Sequence, residues 1–463
     1  MKIKAGVSGI RGEYNTALTK EAIINFIEAY IYFLGKRIKN GIVLGRDTRN
    51  SGPEIYQLIY NYLKIKGIKI IPAGILPTPS VQFAVRYFKA SGGIIITASH
   101  NPKNDNGLKF LSNKGIFLNK KEINIVIGRY NKISKDEFKY KINLKALSKV
   151  EKKKENKNQE LIIKNHISRI KNIINLDKIR KRKFKVVIDA CNGAGTFVAK
   201  KLAHNFGFNL IGIHMKPTGD FERFPEPIPE NLKVLGNVVK KNKADIGFAQ
   251  DPDADRLAIV DEKGSPIGED LTLVLAANQY LKTINKKNVK IVTNLSTTFL
   301  LDKIAEKYKA KLFRTPIGEI NVVDKMIKIS ADIGGEGNGG VILPRIGYGR
   351  DSLTAIGLIL EFLASTQKKL SETLSEFPEY FMVKDKLKVT EEILIKKGLR
   401  NIINIYKDQK FDTQDGIKII FKNSWLHVRP SNTEPIVRFI AEAPAAAEAK
   451  NLIKKAKEIF ILN

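Results

Sequence analysis

Short runs of β-branched and aliphatic residues recur along the chain, separated by stretches with a helical repeat of apolar positions. Ile42-Val43-Leu44, Ile68–Ile71, Gly92–Ile96, Val186-Val187-Ile188, Leu210–His214, Ile246–Ala249, Leu257–Val260, Ile291-Val292 and Val341-Ile342-Leu343 read as strands. An unbroken apolar run of this length suits a strand covered on both faces. Glu21–Lys36 reads as an amphipathic helix and Leu161–Leu176 as a helical segment. Such alternation predicts parallel α/β units. The polar, lysine-rich stretch Lys149–Glu160 reads as a linker. Periodicity alone shows only this repeated strand-and-helix alternation, and the expected units are 1–150, 158–261, 262–370 and 376–463.

The strand Gly92–Ile96 runs into Thr97-Ala98-Ser99-His100-Asn101-Pro102. Ligands of open α/β sheets bind at the carboxyl ends of the strands, so the Ser99 hydroxyl is placed for chemistry, although a Ser/Thr-rich turn reads the same in isolation. Between two further strands lies Asp251-Pro252-Asp253-Ala254-Asp255-Arg256. On an extended segment carboxylates two apart project to one side, which gathers three acids in a small volume. Two like charges about 4 Å apart repel by roughly 4 kcal/mol at an effective dielectric near 20, a cost that a bound divalent cation reverses. Oxygen ligands alone suit Mg²⁺ or another hard ion. A calcium loop starting at Asp251 would have Glu262 at its twelfth position, but it requires glycine at the sixth, where Arg256 stands.

Two loops carry other polar groups. Gly334-Gly335-Glu336-Gly337-Asn338-Gly339-Gly340 combines glycines, which let backbone approach a ligand, with one acid and one amide able to bond sugar hydroxyls or an amine. Arg429-Pro430-Ser431-Asn432-Thr433-Glu434-Pro435, with Arg438 behind it, suits a phosphate dianion. Other chemistries fit less well. Cys191-Asn192-Gly193-Ala194-Gly195-Thr196 after a strand resembles a dinucleotide turn, but Val198 replaces the third glycine and no acid follows the next strand. His100 beside Ser99 invites a hydrolase triad, yet adjacent strand-end side chains diverge and no nucleophile elbow surrounds them.

These segments together resemble the α-D-phosphohexomutases. The likeness spans nearly the whole chain through four ordered motifs: a serine loop, an aspartate loop, a sugar loop and a phosphate loop. Gly6-Val7-Ser8-Gly9-Ile10-Arg11-Gly12 and Tyr348-Gly349-Arg350-Asp351 match further family segments. Within the family the spellings are most similar to bacterial phosphoglucosamine mutases. Where many relatives have Ser-Gly-His, this chain has Asn338-Gly339-Gly340, so a histidine proposed elsewhere as an acid/base group is missing. Asn432 stands where glycine is common, and Ser8 where phosphoglucosamine mutases often have aspartate.

The resemblance implies three similar α/β domains with mixed or parallel sheets and a smaller C-terminal α+β domain around a central cleft. It implies reversible phosphoryl transfer through a phosphoserine at Ser99, with glucosamine 6-phosphate as the first choice of substrate and glucose or mannose phosphates as the alternative. Mg²⁺ would be held by Asp251, Asp253, Asp255 and an oxygen on Ser99, with a hexose 1,6-bisphosphate as activator. Arg11, Lys109, Arg256 and His100 join Ser99 as candidate catalytic residues. Thr315, Gly318, Glu336 and Asn338 would meet the sugar, and Arg429, Ser431, Asn432, Thr433 and Arg438 its non-reacting phosphate.

Composition changes this picture little. The 463 residues allow two to four domains. The single cysteine, Cys191, fits a reducing compartment, and no membrane-spanning run or signal peptide is evident, so a cytoplasmic enzyme acting as monomer or homodimer is expected. The net charge of +33 raises nucleic-acid binding, but the lysines are spread along the chain and no zinc, RNA-binding or recognition-helix pattern accompanies them. They would instead draw anionic sugar phosphates. No specific nucleic-acid or membrane partner is expected.

Overall fold

The computed structural model describes residues 3–7, 9–133, 152–431 and 435–462. Two compact units emerge, residues 1–279 with 338–370 and residues 280–337 with 371–463.

The first unit opens with β1 (Lys4–Gly6), β2 (Gly9–Glu13), β3 (Ile42–Arg46), β4 (Ile70–Ile75), β5 (Gly92–Ile96) and β6 (Asp105–Leu111), in the sheet order β1-β2-β6-β5-β3-β4. β3 lies parallel to β4 and β5, while β6 is antiparallel to β5 and β2. Ile42, Leu44, Ile94 and Ile96 are fully buried, as strands covered on both faces require. The helix Lys20–Leu34 starts where the Thr19 side chain accepts from Ala22 N–H and ends at Gly35, whose φ of 51° a side chain would strain. Its inner face buries Ile23, Phe26, Ile27 and Tyr30, each contributing roughly 1.5–3 kcal/mol of transfer free energy.

The expected linker at 149–160 is helical from Lys152 onward among the described residues, in a helix that runs to Lys171. The reason is packing. Asn158 Nδ2 donates to the Pro72 carbonyl at 2.9 Å, Gln159 binds the Ile75 carbonyl, and Ile162, Ile163, Ile167 and Ile170 are buried, while Lys154, Lys157 and Lys164 are exposed on the outer face of a strap over edge strand β4. Leu176, expected to close this helix, instead opens a new one after the Asn175 cap.

The next sheet contains β7 (Lys185–Asp189), β8 (Asn209–Ile213), β9 (Ile246–Gln250) and β10 (Leu257–Val260), ordered β10-β9-β7-β8, with β10 antiparallel to β9 and the remaining pairs parallel. In the second unit β11 (Lys290–Asn294) lies parallel to both β12 (Lys311–Thr315) and β13 (Ile333–Glu336). A turn leads to β14 (Gly340–Ile342), which belongs to the first unit.

The C-terminal part is antiparallel throughout. β15 (Phe381–Lys388), β16 (Lys410–Asp412), β17 (Ile417–Ile420), β18 (Trp425–Pro430) and β19 (Ile436–Ala443) are ordered β15-β19-β18-β17-β16. Val428, Phe439, Ile453 and Phe460 form its core beneath the helices Glu392–Ile405 and Ala446–Phe460. Among the described residues no helix is long and apolar enough to cross a membrane.

Candidate functional site

Ser99 follows β5 with φ 53°, a left-handed conformation that costs a non-glycine residue roughly 1–3 kcal/mol. Buried polar groups hold it there. Ser99 N–H donates to Thr97 Oγ1 at 2.9 Å, and Thr97 Oγ1 donates to Asp47 Oδ2 at 2.7 Å. Arg49, fully buried after β3, divides its donors between the carbonyls of this loop and Asp47. Its Nη2 reaches the carbonyls of Ser99 at 2.6 Å and Asn101 at 2.8 Å, its Nη1 those of Pro102 and Asp105, and its Nε reaches Asp47 at 3.1 Å.

The Ser99 hydroxyl donates to Asp251 Oδ2 at 3.2 Å and lies 3.3 Å from His100 Nδ1. The expected divergence of Ser99 and His100 is therefore wrong, because the left-handed turn at Ser99 departs from strand geometry. Arg256 above all, then burial, Arg11 and Arg350, push the His100 pKa far down, and the imidazole is neutral at pH 7. His100 turns Nδ1 to Ser99, and the carboxylate on its Nε2 side, Glu226 Oε1, is 3.9 Å away and paired with Arg256 at 3.0 Å, so His100 is a hydrogen-bond partner of Ser99 and not the middle of a hydrolase triad.

The three aspartates converge, but not on an extended segment. Residues 251–256 form a turn closed by Ala254 N–H donating to the Asp251 carbonyl at 2.9 Å, with Ala254 at φ 51°. Asp251 Oδ1 accepts from the Asp255 and Arg256 amides at 3.1 Å each, which folds the later residues back over the first. The turn is pinned from outside by Thr78, whose N–H bonds the Asp253 carbonyl at 2.8 Å and whose hydroxyl bonds Asp253 Oδ2 at 2.8 Å. Pro252 presses on the glycine turn after β7. Ala194 N–H donates to the Pro252 carbonyl, and a side chain at Gly193 would lie 2.5 Å from that oxygen. The turn that resembled a dinucleotide site is thus filled by protein.

One oxygen from each of Asp251, Asp253 and Asp255 lies within 4.8 Å of the others, and all three residues are buried. Burial, with Asp255 and Asp253 close by, pushes the Asp251 carboxyl well above the usual carboxylate range. Burial acts the same way on Asp253, but Lys109 and Thr78 outweigh it and hold that carboxyl below its ordinary range. Lys109 Nζ is 2.8 Å from Asp253 Oδ2 and 3.9 Å from Asp255 Oδ2, and Arg350 Nη2 is 2.6 Å from Asp255 Oδ2. Asp253 Oδ1 and Asp255 Oδ1 are buried with no hydrogen-bond partner among the described residues. Buried acceptors without donors cost about 1–3 kcal/mol each, and an all-oxygen cluster with open lone pairs fits a hard divalent cation. Arg11 Nη1 donates to Asn101 Oδ1 at 3.2 Å, and Arg256 pairs with Glu226 at 3.0 Å.

The glycine-dense segment is a tight hairpin and not an open loop. Its glycines accommodate the protein itself: a side chain at Gly339 would lie 2.3 Å from the Leu257 carbonyl, and one at Gly340 would strike Arg350. Asn338, half-buried, precedes the Gly339 carbonyl that accepts from Leu257 N–H, next to the aspartate turn.

In the second unit Glu336 ends β13 and is buried, with Oε1 accepting from Asn294 Nδ2 and Gly318 N–H at 3.1 Å each. Thr315 turns its hydroxyl to backbone, toward the carbonyls of Thr293 and Pro316. Arg429 Nε donates to Asp415 Oδ2 at 2.9 Å. Arg438 faces Arg429 in the register of β19 against β18, and Ser431 N–H bonds the Ile436 carbonyl. Asn432 and Thr433 lie outside the described residues.

Sequence reasoning missed Asp47, Arg49, Thr78, Glu226 and Asp415. Asp47 and Arg49 left one trace, a polar cluster after the apolar run Ile42-Val43-Leu44, in the same strand-end position that singled out Ser99. Cys191, pushed up to about 12 by burial, is an inert thiol.

Comparison with known proteins follows the four parts of the chain. Residues 2–137, 164–264 and 268–381 match the phosphoglucomutase/phosphomannomutase alpha/beta/alpha domains I, II and III, and residues 381–459 match the C-terminal domain of the same family. A phosphoglucomutase/phosphomannomutase of Thermococcus kodakarensis is 37% identical over 454 residues, covering 97% of this chain and 96% of that protein. A phosphoglucosamine/phosphogalactosamine mutase of Sulfurisphaera tokodaii is 32% identical over 458 residues, 98% of each. The crystal structure of a phosphoglucomutase/phosphomannomutase family protein from Burkholderia thailandensis superimposes with a TM-score of 0.79 at 24% identity, covering 98% of this chain and 97% of that one.

Proposed function

From the premise that the chain belongs to the phosphoglucomutase/phosphomannomutase family and is a phosphohexomutase, we propose that it interconverts glucosamine 6-phosphate and glucosamine 1-phosphate through a phosphoserine at Ser99. The observation that carries the mechanism is the Ser99 hydroxyl 3.2 Å from Asp251 Oδ2, at the edge of a buried acidic cluster. A phosphoryl group on that oxygen would stand beside the triad. Transfer breaks the Ser99 Oγ–P bond as an O–P bond forms to the free sugar hydroxyl, and on balance the proton of that hydroxyl ends on the released Ser99 Oγ. The resulting hexose 1,6-bisphosphate then returns its other phosphoryl group to Ser99.

Asp251, Asp253 and Asp255, with an oxygen of the phosphoserine, would hold Mg²⁺, which supplies charge neutralisation at the transferring group. The chain's own groups do the rest. Arg49 fixes the direction of the Ser99 hydroxyl. Lys109 and Arg350 keep Asp253 and Asp255 in place, and Arg11 and Arg256 add positive charge around the serine. His100, neutral, offers the serine oxygen a hydrogen bond that leaves its charge unchanged. Glu336, Asn338 and the Thr315–Gly318 loop would meet the sugar, and Arg429, Ser431, Asn432, Thr433 and Arg438 would grip the phosphate that is not reacting. A hexose 1,6-bisphosphate would prime the dephosphorylated enzyme.

A second reading, glucose or mannose phosphates as substrates, is favoured by the name of the 37% identical relative. Coupled assays on glucosamine, glucose and mannose 1-phosphates decide between them. Glucosamine 1-phosphate should have the highest kcat/KM, and a higher value for either other sugar would overturn that choice.

A further inference from the structure

In the second unit a single carboxylate ties together two loops that the sequence treats as separate. Asp415 Oδ2 accepts from the Ile317 backbone N–H at 3.0 Å and from Arg429 Nε at 2.9 Å. Ile317 lies in the loop after β12, where the following amide, Gly318 N–H, is held by Glu336. Arg429 stands near the end of β18. Asp415 is itself fixed, because its carbonyl accepts from His427 Nε2 at 2.7 Å while His427 Nδ1 takes a hydrogen bond from Ser296 Oγ at 2.8 Å. The turn that carries it presses on Arg429: at Gly416, φ 70°, any side chain would lie 2.3 Å from the Val428 carbonyl and 2.7 Å from Arg429 Cα.

The Arg429 side chain is only 7% exposed, and among the described residues its Nη1 and Nη2 make no hydrogen bond. Binding Nε on one side leaves the Nη1/Nη2 edge as the remaining face of the guanidinium, the edge that can take two oxygens of one phosphate. A guanidinium already oriented loses less freedom when a ligand arrives.

We infer that Asp415 is a positioning residue that couples the Thr315–Gly318 loop to Arg429 and so presets the phosphate-binding edge of that arginine. The inference rests on the role proposed above for Arg429. It predicts that the sugar-side loop and the phosphate side chain form one binding unit.

The test is a double-mutant cycle on the full chain, with glucose 1-phosphate and glucosamine 1-phosphate as probes. Asp415→Asn keeps the shape and removes the charge, and should raise KM by about tenfold with kcat within about twofold. Ser99 phosphorylation, read by intact mass, and the thermal midpoint should stay at wild-type values. Arg429→Ala should also raise KM, and in that background Asp415→Asn should add nothing. If Arg429→Ala raises KM while Asp415→Asn does not, or adds its full effect on top, the coupling is overturned and the phosphate grip stands. If Arg429→Ala leaves KM unchanged, both fall. A loss of kcat and thermal midpoint in Asp415→Asn at unchanged KM assigns the residue a structural role and overturns the inference, with Asp415→Ala as the second variant.

Discussion

Arg49 Nη2 donates a 2.6 Å hydrogen bond to the Ser99 carbonyl, so the strained residue proposed to carry the phosphate is held by a cation from the end of a neighbouring strand. Lysine at 49 keeps the charge beside Asp47 but cannot fan five donors over four carbonyls and a carboxylate. Arg49→Lys should lower kcat by about a hundredfold, the scale of an ångström-level misplacement, with KM near wild type. Unchanged kcat would show that the loop keeps its geometry without this arginine.

Ser99→Ala removes the proposed phosphate carrier and a 3.2 Å hydrogen bond without touching the apolar core. Mutase turnover should vanish while the circular dichroism spectrum stays native. Intact mass should show one phosphate on the wild type and none on the variant. Near-wild-type turnover in the variant would disprove transfer through this serine.

Asp253→Asn takes one charge from the triad and weakens the contact with Lys109 Nζ at 2.8 Å. Turnover should fall by at least about a hundredfold, and exhaustive chelation of the wild type should have a comparable effect that added Mg²⁺ reverses. Full activity in chelator would remove the metal from the reading.

His427 gives a pH signature that is independent of catalysis. Burial first, then Lys418 and Arg429, lower its pKa from 6.5 to about 4 against the opposing pull of the Asp415 carbonyl and carboxylate. The unfolded chain therefore binds more protons between those values, and stability that is complete above pH 6.5 declines as the pH falls toward 4, by up to about 3 kcal/mol. The thermal midpoint should drop over that window in the wild type and less in His427→Asn. Equal slopes for both proteins would refute the assignment to this histidine.

The parts of this molecule legible in the sequence are those governed by local rules. Ile94-Ile95-Ile96 reads as a covered strand because its burial is written in its own residues, and Ser99 follows as a strand-end hydroxyl. Lys149–Glu160 reads as a linker because lysine and asparagine are equally at home in solvent and on the outer face of a helix. Only the carbonyls of Pro72 and Ile75 decide for the helix, and they lie 84 or more residues away in the chain. Arg49 and Asp415 were hidden for the same reason, since most of the Arg49 bonds go to backbone carbonyls, and Asp415 meets the Ile317 amide and the Arg429 side chain, 98 and 14 residues away. The aspartate cluster was read correctly as a convergence but through the wrong geometry. A turn at Ala254 brings the acids together where an extended segment had been expected.

The crowding of Asp251 against Asp253 and Asp255 also implies that activity and heat resistance are in opposition at this turn. Without metal, the folded chain confines carboxylates that the unfolded chain would hold apart in water, so the site is a weak point that folding elsewhere must offset. Asp251→Asn should therefore unfold at a higher temperature than the metal-free wild type while being catalytically poor. Saturating Mg²⁺ should raise the wild-type midpoint and leave that of the variant almost unmoved.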